Sequence, residues 1–198
     1  MKHKIWIIIF TLFIGFYSSD NYAQTNFTCT LANDSLTAPN VYEFDIYMLS
    51  NDTSMIELGG VNFGFLYNTQ VKDTGTIKIS WVRNSSELTN PAQLPSNFKA
   101  TVGIKDSAEV GIIIAGPRMP VGHGNGSIIS NKGIGTRLGR LRLTNNMNFT
   151  SARMNIEWNF LKTNGLYPTT IGAYIQKINT IVTPLGKYES KLVNPFLK

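Results

Sequence analysis

Cysteine is nearly absent from this sequence, and its scarcity constrains how the fold is held together. Cys29 is the only cysteine in 198 residues, and a single thiol cannot form an intramolecular disulfide. A hydrophobic core must therefore stabilise the chain without covalent cross-links. Because no histidine or basic residue lies near Cys29 in the sequence, we predict a small buried side chain and not a reactive thiol.

Histidine and closely spaced carboxylates are also scarce, which limits the possible chemistry. His123 is the only histidine beyond His3, so a histidine-cluster metal site is excluded and a Ser-His-Asp arrangement would depend on His123 alone. No acidic stretch has the spacing of a calcium loop. A glycoside hydrolase needs two carboxyl groups that face each other across a cleft. Three of the carboxylates, Glu43, Asp45 and Glu157, are instead explained as outward strand residues. We predict a protein that is not an enzyme and has no cofactor or metal. Enzyme is the alternative, since catalytic pairs need not be close in sequence.

Long hydrophobic runs are missing, with one exception at the N-terminus. Residues 5–17 form an apolar run that is too short to span a bilayer. A basic start precedes it, and the polar segment SSDNYA follows it. This pattern predicts a signal peptide over residues 1–23, with cleavage after Ala23. We expect the mature chain, residues 24–198, to be one exported domain without an integral membrane segment. It would lie outside the cell or on its surface, with the periplasm as the alternative.

Charged residues make up only 15% of the sequence, and the formal net charge is +6. Loss of Lys2, Lys4 and Asp20 with the signal peptide would leave +5. The arginines of the second half are close together in the sequence: Arg137, Arg140, Arg142 and Arg153. A basic cluster can bind phosphate, acidic glycan or nucleic acid. In a strand-rich exported chain a solvated strand face explains it more simply, and we predict no nucleic-acid partner.

Alternation of apolar and polar residues is what the sequence does contain. It is clearest in residues 41–68, where one face of each of two strands would carry Tyr42, Phe44, Ile46, Met48, Val61, Phe63, Phe65 and Tyr67. Similar runs recur to residue 182, with turn formers between them and no amphipathic helix. Residues 98–104 and 109–115 make a natural hairpin. A later strand is predicted to place Met154, Ile156, Trp158 and Phe160 inward and Asn155, Glu157 and Asn159 outward. We predict about nine strands in an all-β, antiparallel sandwich of two sheets. In the strand GTRLGRLRLT, alternation places Arg137, Gly139, Leu141 and Leu143 on one face and Leu138, Arg140 and Arg142 on the other.

Two loops and one strand face are the candidate binding sites. The loops, residues 84–97 and 117–126, are rich in proline or glycine, and loops at the ends of a rigid sandwich often carry function. The second loop supplies Arg118, His123 and Asn125. The competing site is the outward face with Arg140 and Arg142, which could attract an acidic partner. Four tyrosines fall on positions that could be exposed and could pack against a pyranose ring: Tyr47, Tyr167, Tyr174 and Tyr188.

Several stretches resemble one family of β-sandwich domains. GVNFGFLYN, following VYEFDIYML, is similar to cohesin-like domains and to the carbohydrate-binding modules that share their jelly-roll sandwich. APNVYEFDIYMLS, GNGSIISN, GTRLGRLRLTN and NPFLK together resemble the N-terminal cohesin-like region of large secreted proteins of the type IX pathway. Asn68 stands where many cohesins have Asp. Cargo of that pathway also ends in a sorting domain, so the chain would be truncated, leave the cell differently or stay in the periplasm.

The resemblance implies a secreted, non-catalytic binding or adhesion module. Cohesins dock a partner protein through one sheet face, and related modules bind polysaccharide. We therefore expect a polysaccharide or a cell-surface protein as the partner. The alternative is an accessory domain of a secreted glycan-active hydrolase, or a small hydrolase of that kind.

Overall fold

The computed structural model describes residues 26–53, 55–95, 103–106, 110–115, 120–160 and 168–194. The predicted signal peptide lies outside these residues. The described part of the chain contains no α-helix and twelve strands. These are β1 (Phe27–Ala38), β2 (Val41–Ser50), β3 (Ile56–Asn68), β4 (Ile77–Trp81), β5 (Gly103–Asp106), β6 (Val110–Ala115), β7 (Ile128–Ile129), β8 (Thr136–Asn145), β9 (Glu157–Trp158), β10 (Thr170–Ile175), β11 (Ile178–Ile181) and β12 (Gly186–Ser190).

The strands form two sheets, which confirms the predicted all-β sandwich. The first sheet has the order β12-β1-β2-β8-β4, and the second has the order β11-β10-β3-β6-β5, with β7 and β9 also paired to β3. The hairpin predicted for β5 and β6 is present. Pairing is antiparallel except between β1 and β12, which run parallel. The chain passes from β11 in one sheet to β12 in the other through a short 3-10 turn, Thr183–Leu185.

β2 and β3 are interior strands of the two sheets, and their predicted inward faces are buried. The eight apolar side chains that alternation places inward on β2 and β3 are each at most 5% exposed. Phe44 meets Phe65 edge-to-face across the two sheets, with 5.6 Å between ring centroids. Cys29 is fully buried, as predicted. β3 begins five residues earlier than the Val61 strand of the sequence prediction, because Ile56 and Leu58 are also buried.

A β-bulge in β8 overturns part of the predicted face assignment. Ile46 of β2 lies opposite Gly139, but the next residue, Tyr47, lies opposite Arg137, so Leu138 is an extra residue in the pairing. The extra residue reverses the alternation on its N-terminal side. Leu138 is therefore buried in the core and Arg137 lies on the outer face, 3.9 Å from an oxygen of Asp45. The prediction was wrong for these two residues because alternation assumes an uninterrupted ladder.

The strand predicted from Met154 to Phe160 is only two residues long, Glu157–Trp158. The inward and outward sides of the two residues that follow it are the opposite of those predicted. Asn159 is buried, although alternation placed it outward, and Phe160 is 43% exposed. The Asn159 amide donates to the Gly64 carbonyl, and its own carbonyl accepts from the Thr169 amide. These backbone bonds hold Asn159 against the second sheet, so the aromatic ring that follows lies at the surface.

The last strand, β12, was not predicted. Its sequence, GKYES, is polar and places a single large apolar side chain, Tyr188, between Lys187 and Glu189. Such a strand forms only because β1 offers it a ladder, from the Phe27–Gly186 pair to the Leu31–Ser190 pair. Hydrogen bonds to a distant strand therefore create an element that the local pattern does not indicate.

Candidate functional site

An apolar cleft opens where the edge of the first sheet meets the β10–β11 hairpin of the second. Its volume is about 470 Å³, within the roughly 300–1,000 Å³ typical of small-molecule sites. The lining residues come from β10, β11, β12, the 3-10 turn between the last two strands, and two segments beside them. They are Phe160, Pro168, Thr169, Thr170, Ile181, Thr183, Pro184 and Tyr188.

Tyr188 forms the inner wall of the cleft and is held in place on three sides. Its ring meets Phe27 at 6.0 Å and Trp158 at 5.3 Å, both close to edge-to-face. Its hydroxyl donates to the carbonyl of Thr183 at 3.1 Å. Burial raises the pKa of Tyr188 above its usual value, so the phenol stays neutral. The side chain is thus a rigid aromatic wall with one polar atom.

Phe160 forms the outer wall. Its ring centroid lies 4.6 Å from that of Tyr188, and nearly half of its surface is open to solvent. Tyr188 packs on Trp158, whose indole nitrogen donates to the Glu189 carbonyl at 3.0 Å. Trp158 in turn packs on Phe65 of the core, at 5.1 Å. A continuous series of aromatic rings therefore runs from the middle of the sandwich to the exposed edge of Phe160.

The predicted loop residues His123 and Asn125 lie elsewhere, in a glycine turn from Val121 to Ser127. Glu57 of β3 organises this turn: one carboxylate oxygen accepts from the Gly124 amide at 2.6 Å and the Gly126 amide at 2.8 Å. The other oxygen lies 3.7 Å from the Nε2 atom of His123. Gly124 has φ +85°, a conformation that favours glycine. The Glu57 carboxylate therefore has a clear structural role.

The two loops expected to form a site do meet. The side-chain amide of Asn90 donates to the Asn125 carbonyl at 2.6 Å, and its backbone amide donates to the Ser127 hydroxyl at 3.0 Å. Asn125 uses its own side-chain amide within the turn, on the Val121 carbonyl. Arg118 lies outside the described residues. These contacts brace one loop against the other.

Loss of the Glu57 carboxylate should loosen the glycine turn. A hydrogen bond to a charged group contributes about 1.5–3 kcal/mol, so in a Glu57→Ala variant we expect the amides of Gly124 and Gly126 to exchange at least about tenfold faster. Hydrogen-exchange NMR measures both amides directly. Glu157→Ala, which removes an exposed carboxylate from β9, is the matched control. Equal protection of the two amides in both variants would contradict this role for Glu57.

The predicted arginine face is an ion-pair network in which Arg140 is mostly buried and Arg142 is partly exposed. Arg140 bonds Glu43 through Nε at 2.7 Å and Asp45 through Nη1 at 2.9 Å, and Arg142 bonds Glu43 at 2.6 Å. Glu43 and Asp45 point away from the core, as expected, but they are only 5% and 2% exposed. The outward position of both residues was predicted, but their burial on that face was not.

A bulge in β1 covers this network. The register between β1 and β2 shifts between Ala32 and Ser35, and the segment between them turns over the sheet. Arg140 donates to the Asn33 carbonyl at 3.1 Å and to the Ser35 hydroxyl at 2.9 Å. Its side chain is 17% exposed. All of these bonds point back into the protein, so little positive charge at Arg140 is offered to an acidic partner.

The network also sets the protonation of its members. Burial raises the pKa of Glu43, but hydrogen bonds and charge from Arg140 and Arg142 outweigh that effect, and the pKa lies below its usual value. Burial likewise lowers the pKa of Arg140, and its bonds to Glu43 and Asp45 raise it overall. Both groups are therefore charged at neutral pH.

The four candidate tyrosines have different positions. Tyr47 is buried at 8% exposure. Tyr174 accepts from the Gly122 amide and meets the ring of His123 at 5.9 Å. Tyr167 lies outside the described residues, and Tyr188 lines the apolar cleft. Sequence reasoning therefore found one cleft residue and missed Phe160, which alternation had assigned to the core.

The described residues contain no group of three or more His, Cys, Asp or Glu side chains that could hold a metal ion. Within the same part of the chain, no helix has the length and apolar character that a membrane span requires. No protein-family model matches the sequence, and no curated protein matches it either.

Proposed function

We propose that the protein is a secreted, non-catalytic module that binds carbohydrate in the apolar cleft, at the cell surface or outside the cell. The half-exposed ring of Phe160, held against Tyr188 at the mouth of a cleft, carries this proposal. The apolar face of a pyranose ring packs well on an aromatic side chain. A surface aromatic that is rigidly held also loses little conformational entropy when a ligand binds.

The positions of the carboxylates favour binding over catalysis. No carboxylate is among the described residues that line the cleft. Elsewhere Glu43 and Asp45 pair with arginines, and Glu57 holds the glycine turn. Asp34 accepts from the hydroxyl of Tyr42 and from the amides of two residues near the end of the described chain. Each of these groups has a structural partner, which accounts for it without a reaction.

Binding should depend on Phe160. Removal of a half-buried aromatic contact costs about 1–1.5 kcal/mol, so a Phe160→Ala variant should bind about tenfold more weakly to any polysaccharide that the wild type retains. Affinity electrophoresis against a panel of soluble polysaccharides would find the ligand, and calorimetry would measure the loss. Met147→Ala is a suitable control, because Met147 is 47% exposed and lies outside the cleft. If no polysaccharide binds in a Phe160-dependent way, the proposal is wrong.

Docking of a protein is the second candidate, and one observation favours it. β11 is the edge of the second sheet, and its four residues are all exposed, with Ile178 and Ile181 at 67% and 65%. The edge strands of the first sheet carry charges, with Lys78 on β4 and Lys187 on β12. An uncharged edge can accept a strand from another protein. Capture of a protein partner that Phe160→Ala does not affect would favour this candidate.

A further inference from the structure

The hydroxyl groups of the described cleft residues donate hydrogen bonds to the protein's own backbone. Four of these lining residues carry a hydroxyl, and each donates to a backbone carbonyl. The bonds run from Thr169 to Gly64 at 2.9 Å, from Tyr188 to Thr183 at 3.1 Å, from Thr170 to Pro168 at 3.4 Å and from Thr183 to Ile171 at 3.5 Å. A hydroxyl has one proton and two acceptor positions. All four side chains can accept a hydrogen bond from a ligand, but to donate one a hydroxyl would have to give up its bond to the backbone.

Two of the four hydroxyl oxygens already accept a hydrogen bond from a backbone amide. The Thr169 oxygen accepts from the Gly64 amide, and its residue is only 3% exposed. The Thr183 oxygen accepts from the Ile171 amide at 2.7 Å. Thr170 and Tyr188 are partly exposed. Among the described hydrogen bonds none is donated to the Thr170 or Tyr188 hydroxyl, so these two lining oxygens have both acceptor positions available for a ligand.

None of the described residues that line the cleft carries a charged side chain. On β12, Tyr188 points to the cleft, and alternation turns Lys187 and Glu189 to the other face. There Lys187 pairs with Glu189 at 2.6 Å, and Lys191 lies 3.8 Å from the second Glu189 oxygen. The described cleft thus combines an apolar wall with hydroxyl acceptors; its described lining contains no cation, and its hydroxyl donors are engaged with backbone carbonyls.

We infer that the cleft selects neutral saccharides and rejects anionic ones. This inference rests on the proposed function. A neutral sugar can donate its hydroxyl protons to Thr170 and Tyr188 while its apolar face packs on Phe160. A carboxylate or sulfate offers only acceptors, so it would lose its hydration in the cleft and find no cation among the described side chains and only hydroxyl donors that already bond the backbone. The basic net charge of the chain acts in the opposite direction, so selection must come from the cleft itself.

The test compares neutral and acidic polymers and uses Phe160 to identify binding in the cleft. The neutral probes are β-glucan, xyloglucan, galactomannan and dextran, and the acidic probes are alginate, polygalacturonate and dextran sulfate. We expect Phe160-dependent binding to a neutral polymer at least about tenfold tighter than to any acidic one. That binding should change little between about 0.05 and 0.5 M salt. Acidic polymers should bind only in a salt-sensitive way that Phe160→Ala leaves intact.

The two proposals fail in different ways. Phe160-dependent binding to an acidic polymer, as tight as to any neutral one, would overturn the neutral selection and leave carbohydrate binding intact. Absence of Phe160-dependent binding to every polymer would overturn the proposed function itself. These outcomes appear in the same set of titrations.

Thr170→Val tests the acceptor role with almost no change of shape. We expect its affinity for the neutral ligand to fall about two- to tenfold, with an unchanged unfolding midpoint. Thr180→Val is the matched control, since Thr180 is exposed on β11 and lies outside the cleft lining. Equal affinities of the two variants would show that Thr170 accepts nothing from the ligand, and selection by acceptors would then be wrong.

Discussion

Replacement of Arg140 by methionine should lower the free energy of unfolding by about 3–5 kcal/mol. Methionine keeps much of the side-chain volume but removes the charge that pairs with both Glu43 and Asp45. These two carboxylates are almost fully buried, and a buried charge without its partner is strongly destabilising. Urea denaturation at pH 7 would measure the loss.

Arg142→Met is the matched control for this prediction. Arg142 also pairs with Glu43, but its side chain is 45% exposed. Ion pairs of exposed side chains contribute little, typically below 1 kcal/mol, so the loss should be small. Similar losses in the two variants would contradict the view that burial makes the Arg140 pairs important.

Acid should reduce the difference in free energy of unfolding between the wild type and the Arg140→Met variant. The folded-state pKa of Glu43 lies below its usual value, near 4.3 for an unfolded chain. A lowered carboxyl pKa contributes stability that is present above about pH 4.3 and disappears as the pH falls through the folded-state pKa. The wild type loses this contribution in acid, and the variant has less of it to lose. If this difference in unfolding free energy is the same at pH 3 and pH 7, the destabilisation comes from lost packing of the Arg140 side chain and not from an unpaired charge.

Phe65→Ala should be comparably destabilising, by about 3–5 kcal/mol. Phe65 is fully buried and contacts Phe44 of the other sheet and Trp158 below the cleft. Its loss leaves a cavity at the place where the two sheets meet. We also expect weaker carbohydrate binding, because Trp158 supports Tyr188 and would lose its own support. Thermal unfolding and calorimetric titration would follow the two effects separately.

Leu66→Ala is the control on the same strand. Leu66 is the neighbour of Phe65 on the opposite face and is partly exposed, so its truncation should cost roughly 1 kcal/mol and leave binding unchanged. A Phe65→Ala variant that is no less stable than Leu66→Ala would show that the aromatic contact between the sheets is unimportant.

The arginine network also changes how a binding experiment on that face must be interpreted. A double Arg140→Ala, Arg142→Ala variant, which tests the face as a docking surface, would also leave Glu43 and Asp45 without their partners. Loss of affinity in that variant could therefore follow from loss of the fold. Arg142→Met alone removes an exposed charge at small cost and is the better test of an acidic partner.

The inward faces of the long strands could be predicted because they depend on local periodicity. Side chains alternate along any strand, so an apolar residue at every second position in residues 41–48 predicts one buried face without knowledge of the partner strand. The same reasoning correctly predicted two sheets, an absence of long helices in the described chain, and a buried Cys29. It failed at Arg137 and Leu138, because one bulge residue reverses the alternation.

The candidate site was less predictable, because its parts are distant in the sequence. Tyr188 had been noted as an aromatic that could be exposed, but Phe160 had been placed in the core. Nothing near Phe160 in the sequence indicates that Asn159 is held inward by backbone bonds to Gly64 and Thr169. His123 and Asn125 were found together in a turn, as their spacing suggests, but Glu57 gives that turn its shape and comes from a different part of the chain.

The sequence by itself therefore determined the class of fold and the inward faces of the central strands, since burial of alternate apolar side chains is a local requirement. Only the tertiary structure decided which polar residues are buried. Glu43 and Asp45 are outward on their strand, yet a bulge of β1 covers them and Arg140 neutralises them. It also decided where a ligand could bind, because the cleft exists only where β12 pairs with β1 and brings Tyr188 beside Phe160. Pairing between distant strands depends on the energy of the whole chain, and no short stretch of sequence contains that information.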